Sequence, residues 1–243
     1  MNNQIIYLSG AIPSARSSIR AELEADRRFG YLMTPNMGNK APASTWGADT
    51  GCFTSKGGDT FRFENYLSWL RGRPASLNLF ATAPDILADA EGTIARSMPC
   101  LPAIRALGFK AALVGQDGLE KVSEIPWSAF DCLFLGGRPP TKDEQKAGVT
   151  EWKLSLAAAE LVHEAKRRGL WVHMGRVNSH LRLKYAAQIG CDSADGTFLR
   201  FAPEENYGRM CQWFDKLESA SRAQVLASRA DNQDTNQLRG GAN

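Results

Sequence analysis

Six short, largely apolar runs recur along this chain, at residues 5–8, 30–33, 77–81, 111–114, 132–135 and 170–174. Continuous apolar runs of this length suit parallel strands that are covered on both faces. Two less apolar segments, 46–53 and 190–196, fall where further strands fit. Helical patterns lie between several of these runs. Residues 60–72 bring Phe61, Tyr66, Leu67 and Leu70 together and stop at Gly72-Arg73-Pro74. Residues 150–168 space Trp152, Leu156, Ala159 and His163 as a helix does and finish on Lys166-Arg167-Arg168-Gly169. Those cations complement a helix C-terminal dipole, and Gly169 suits a left-handed cap. A further helix over 179–189 has Asn178 or Ser179 as its N-cap and Gly190 just past its end. About eight strands alternating with helices predict an α/β fold, a single-domain (β/α)8 barrel over residues 1–218. An open doubly wound sheet is the alternative. It is weakened because no G-x-G-x-x-G follows the first strand and no G-x-x-x-x-G-K-[ST] occurs.

With 243 residues, 43% of them hydrophobic, the chain can build one large core or two small ones. Residues 37–58, rich in Gly, Ala, Ser and Thr, are expected to form a long loop on the active face. From 219 the pattern turns polar, so 219–243 reads as a tail, with 231–243 disordered. A net charge of +3 permits contact with nucleic acid without arguing for it. Cys52, Cys100, Cys132, Cys191 and Cys211 are scattered, with no metal-ligand spacing, so neither a zinc site nor any other metal or cofactor is expected. They read as buried thiols of a reducing compartment. No apolar run is long enough to span a bilayer, and Met1-Asn2-Asn3-Gln4 lacks the features of a secretory signal; a cytoplasmic protein without membrane contact is expected.

In a parallel barrel every strand C-terminus opens onto one face, where residues remote in sequence meet. Asp49 and Asp195 each close a strand-like segment, Asp85 closes 79–85, and Gln116 follows 112–115. Gly136-Gly137 follow 133–135, and Met174-Gly175 follow 171–173. Taken singly, each reads as a turn residue. Taken together, two carboxylates meeting over a sugar–base bond can divide the work of nucleophile and proton carrier. An Asp and a Gln beside glycine backbone suit the edge of a guanine-like base, with a Met against its ring face. His163 reads as a packing or surface residue; His173, in an apolar strand beside the pocket, reads first as a satisfied core histidine and second as a pocket residue, whereas His180 begins a helix near the rim. Arg176, Arg182, Lys184, Arg200 and Arg209 are candidates for phosphate contacts or for a solvated basic face.

These segments resemble the tRNA-guanine transglycosylases. Asp49-Thr50-Gly51-Cys52-Phe53-Thr54 is similar to their D-S-G-G-F-Q signature, Val114-Gly115-Gln116 to V-Q-G, and Leu135-Gly136-Gly137 to I-G-G. Met174-Gly175 resembles M-G-V-G, and residues 190–195 resemble G-I-D-M-F-D, ending on Asp195. The segments follow the family's order over roughly residues 4–215. The resemblance implies a (β/α)8 barrel that exchanges guanine for a 7-deazaguanine, with Asp195 as nucleophile and Asp49 as general acid/base. Asp85, Gln116, Gly136, Gly137, Met174 and Gly175 would bind the base; Arg176, His180 and Arg200 would face nucleic acid. Cys52 and Thr54 replace a Gly and a Gln of the signature, and the C-terminal C-x-C-x-x-C…H zinc module does not occur. A compact, zinc-less chain looks more like the deazapurine DNA-modification branch (the DpdA-like proteins of phages and genomic islands). That branch implies DNA as partner and a base such as preQ0 as second substrate, and admits a homodimer. A tRNA enzyme, a hydrolytic base-excising glycosylase and a non-catalytic nucleic-acid-binding module are the alternatives.

Overall fold

The structure is a computed structural model that describes residues 4–10, 17–36, 44–52 and 61–240. Eight strands, β1 (Ile6–Ser9), β2 (Phe29–Met33), β3 (Trp46–Ala48), β4 (Asn78–Thr82), β5 (Ala111–Gly115), β6 (Cys132–Leu135), β7 (Trp171–Met174) and β8 (Ser193–Gly196), pair in chain order. All are parallel, and β8 closes onto β1 with Asp195 opposite Leu8. Around them run α1 (Ser17–Ala25), α2 (Phe63–Arg71), α3 (Ala90–Ser97), α4 (Leu101–Ala106), α5 (Lys142–Lys146), α6 (Leu156–Arg167), α7 (His180–Ile189) and α8 (Pro203–Gly240). The six apolar runs are six of the strands, and the segments before Asp49 and around Asp195 supply the other two.

Side chains alternate across each strand. Leu8, Leu32, Phe80, Ala112, Val114, Cys132 and Phe134 fill the barrel interior. Their neighbours Tyr7, Phe29, Met33, Trp46, Ala81, Leu113, Leu133, Val172, Met174 and Ala194 pack under the helices. The interior has room for Phe80 because β3 puts no side chain beside it, and β2 is close-packed at Gly30. A Cβ on Gly47 would lie 2.8 Å from the Phe80 ring and 2.9 Å from Leu8, and one on Gly30 would collide with the Thr45 carbonyl. Gly47→Val is therefore expected to destabilise the barrel by about 1–3 kcal/mol through overpacking. The effect should appear as a lower urea midpoint at unchanged m.

Helix ends follow their cap residues. Ser179 caps α7 by accepting from Arg182 N–H, and Gly190 closes it at φ +100°. The helix expected over 150–168 starts later. Ser155, extended and accepting from Ala158 N–H, caps α6, and Trp152–Leu154 form a separate 3-10 turn. The buried face is accordingly Ala158, Leu161, Val162 and Ala165, while Leu156 is exposed. Of the expected 37–58 loop, residues 46–48 are β3; 37–43 and 53–58 lie outside the described residues. Residues 219–240 of the expected tail lie on α8, which runs as far as Gly240. After Gly208 that stretch meets no Gly or Pro until Gly240 and is rich in Ala, Leu, Gln and Arg, all good helix formers. Met210 and Phe214 dock the first part of α8 on the barrel. No helix among the described residues is long and apolar enough to cross a membrane.

Candidate active site

The strand alternation turns Asp49, Thr82, Gln116, His173 and Asp195 inward at the C-terminal mouth. Asp49, directly after β3, accepts through Oδ1 from Gly51 N–H at 3.2 Å and from the Thr50 and Thr82 hydroxyls at 3.4 Å each. Burial lifts its carboxyl above the ordinary carboxylate range. The charge of Asp195 adds to the lift, and the three hydrogen bonds offset only part of it. Asp195 lies within β8, its side chain 14% exposed, with Oδ1 3.0 Å from His173 Nε2. Gly175 leaves room beside it, because a Cβ there would sit 3.3 Å from Asp195 Oδ1 and 2.9 Å from Phe134.

Asp85 and Gln116 also meet. Gln116 Nε2 donates to Asp85 Oδ2 at 2.5 Å, and Gln116 Oε1 accepts from Ala88 N–H at 3.0 Å. The amide is thereby oriented, with one Nε2 hydrogen left for a ligand. Burial, reinforced by the charge of Asp49, pushes the Asp85 carboxyl up to about 7. Cys52, standing where the resembled signature has Gly, donates its thiol to Asp85 Oδ1 at 3.3 Å. Burial and then the Asp85 charge push that thiol up to about 12, so it stays a donor at neutral pH.

Other expected site residues are arranged differently. Met174 does not reach the mouth. His173 and Gly175 take the inner positions, so alternation turns Met174 outward into the helix-facing core, fully buried. The Gly136 and Gly137 carbonyls both accept from the Arg176 guanidinium, and Arg176 itself adopts a left-handed φ of 59°. Arg176 therefore latches the end of β6 to the β7–α7 loop. His180 packs its ring 6.0 Å from that of Trp213 on α8. Arg200 is exposed on the 3-10 turn after β8. No cluster of three or more His, Cys, Asp or Glu able to hold a metal occurs among the described residues. A groove of about 670 Å3, lined by Gln4, Ile5, Lys184, Phe214, Leu217 and Arg222, lies at the opposite, N-terminal end and shares no residue with the mouth.

No protein-family model matches this chain, and no curated protein does. Solved structures do. A mutant tryptophan synthase α-subunit from the hyperthermophile Pyrococcus furiosus superposes with a TM-score of 0.54 at 12% identity, over 88% of this chain and 97% of its own. β-Methylaspartase from Clostridium tetanomorphum, as a Mg complex, gives 0.51 at 9% identity, over 92% of this chain and 60% of its own. The fold is a (β/α)8 barrel. At these identities the likeness concerns the fold alone.

Two further residues join the barrel mouth, and one of them, Lys153, stands outside the sequence expectation. His173 is a buried, hydrogen-bonded core histidine and also reaches Asp195, so both readings of it meet in one side chain. Lys153, 1% exposed, donates to the Gly175 carbonyl at 2.5 Å and faces Glu151 Oε2 at 3.2 Å. Glu151 also holds Arg182 at 2.5 Å, whose guanidinium reaches the Arg176 carbonyl at 3.3 Å. Burial, with Arg176 adding repulsion, pulls the Lys153 amine down to about 8. For His173 a signal existed: it shares a strand face with Trp171, and Asp195 shares one with Ser193. For Lys153 there was none, because its partners are a backbone carbonyl and a carboxylate two residues away.

Proposed function

We propose that this protein is an enzyme of the transglycosylase type, a pentosyltransferase that replaces guanine in DNA with a 7-deazaguanine such as preQ0. The observation that carries the reading is the pairing at one barrel mouth of Asp195, tied to His173, with Asp49, a carboxyl raised by burial and by Asp195 itself. A carboxyl that keeps its proton beside one that acts as nucleophile is the division of labour that base exchange requires. An Asp195 oxygen attacks C1′, the C1′–N9 bond breaks, and a sugar–enzyme ester forms. Asp49 gives its proton to the departing guanine. The incoming deazaguanine returns a proton from N9–H to Asp49, its N9 attacks C1′, and Asp195 leaves as carboxylate. Two displacements give net retention at C1′. DNA rather than tRNA follows the resemblance to the deazapurine DNA-modification branch.

The experiment is incorporation of radiolabelled preQ0 into duplex DNA by the purified chain, with the digested nucleosides identified by mass spectrometry. Label entering tRNA but not DNA would overturn the choice of nucleic acid. Alkali-labile abasic sites without incorporation would favour a hydrolase instead.

Asp85 adds a pH dependence. Its ionised carboxylate accepts from guanine N1–H and the 2-amino group, while its protonated form offers fewer acceptors. Capture of the free base is therefore expected to tighten as pH rises through about 7, the point to which Asp85 is raised. Isothermal titration with guanine checks this. An Asp85→Asn protein should bind more weakly and show no such rise.

A further inference from the structure

A polar chain crosses the otherwise apolar barrel interior and ends on Asp195. Trp171 Nε1 donates to Ser193 Oγ at 2.9 Å, Ser193 Oγ lies 2.8 Å from His173 Nδ1, and His173 Nε2 lies 3.0 Å from Asp195 Oδ1. The β7–β8 register sets His173 opposite Ser193, so all four side chains share the inner face. The His173 ring is fully buried between Phe80 and Phe134, with ring centroids 4.7 and 4.4 Å away. A polar group sunk among aromatic rings must have its hydrogen bonds met within the chain.

The donors can be ordered by elimination. An indole N–H only donates, so it occupies a lone pair of Ser193. The Ser193 hydroxyl hydrogen finds its acceptor in His173 Nδ1, and Ser193 has no other acceptor among the described residues. With Nδ1 accepting, the ring proton sits on Nε2 and points at Asp195. The opposite tautomer would set a nitrogen lone pair against a carboxylate oxygen. Every donor thus points towards Asp195, and the inner end is an indole that cannot accept a proton.

Resting on the transglycosylase reading, we propose that His173 is a positioning residue, locked as the neutral Nε2–H tautomer by Ser193 and Trp171, that ties down Asp195 Oδ1 and presents the other carboxylate oxygen to C1′. Because the chain dead-ends at Trp171, His173 is a clamp and not a proton shuttle. Proton transfer is left to Asp49.

The test uses the full chain with His173→Phe, His173→Gln and Ser193→Ala. Phenylalanine fills the space between Phe80 and Phe134 but donates nothing; glutamine restores an N–H near the Nε2 position. His173→Phe is expected to lower kcat for base exchange about 10²-fold, the scale of a misplaced reacting group, with KM for the free base little changed. His173→Gln should recover a large part of the loss, and Ser193→Ala should lower kcat by a smaller factor. In 15N NMR of the substrate-free protein, the His173 ring should show a protonated Nε2 and an unprotonated Nδ1, with the pattern blurred in Ser193→Ala. A proton on Nδ1, or kcat and KM deteriorating together with no recovery in His173→Gln, would overturn the clamp. Asp195→Asn serves as the control for the underlying reaction. If it exchanges base as wild type does, the transglycosylase reading falls while the NMR result still decides the tautomer.

Discussion

Asp195→Asn is expected to remove base exchange almost completely, lowering kcat/KM for label incorporation by at least about 10³-fold. The substitution is nearly isosteric. Its amide oxygen can still accept from His173 Nε2, so the barrel and the polar chain should stay intact. On the proposed mechanism, what disappears is the carboxylate that bonds to C1′, and with it the covalent intermediate. Denaturing gels of protein incubated with labelled DNA should show a trapped adduct for wild type and none for the variant. Asp49→Asn should behave differently. It slows exchange by withholding the proton from the leaving base, while the Asp195 nucleophile remains. Wild-type exchange by Asp195→Asn would rule out the assigned nucleophile.

Lys153 gives the second large effect. Its amine is lowered to about 8 in the folded protein, against an ordinary value of 10.5. Between those values the unfolded chain holds a proton that the folded chain has released, so this group makes stability rise with pH. The contribution is full above 10.5 and is lost as pH falls through about 8. Lys153→Met fills similar space without titrating. The stability of wild type relative to this variant is therefore expected to climb across that window, by on the order of 3 kcal/mol. Paired urea titrations at a series of pH values measure it, since the other titrating groups are common to both proteins. A difference independent of pH would refute the buried, strained amine. At neutral pH the variant also strips the Gly175 carbonyl of its donor and leaves Glu151 to Arg182 alone, so exchange should slow as the β7–α7 loop loosens.

Most of the barrel was legible because a parallel strand covered on both faces must be apolar at every position, as Ala111–Gly115 and Cys132–Leu135 are. β3 was fainter: it has three residues, and its inner position is Gly47, whose use is to make way for Phe80 and Leu8. Strand-end logic brought Asp49, Asp85 and Gln116 to one mouth because it needs only the residues that follow each run, and Asp195 joins them from within β8. It did not say which way a residue inside a run points. Met174 was therefore expected at the mouth, whereas alternation turns it outward and gives the inner positions to His173, a buried core histidine that also reaches Asp195, and to Gly175. Cys52 looked like a departure from the resembled signature, yet it hands Asp85 a hydrogen bond that no spacing rule encodes. Lys153 was invisible because burial of a cation is a tertiary fact.

Asp195 belongs to a strand and not to a loop. Its backbone is paired with β1 opposite Leu8, and its carbonyl takes Val177 N–H at 2.5 Å from the other side. A group built into the wall of a closed barrel cannot travel to its target. If the target is a base in duplex DNA, the nucleotide must make the journey, swinging out of its stack and into the mouth at a cost of about a few kcal/mol. Mismatched or single-stranded guanines, which have already left the stack or leave it cheaply, should then be exchanged faster than paired ones.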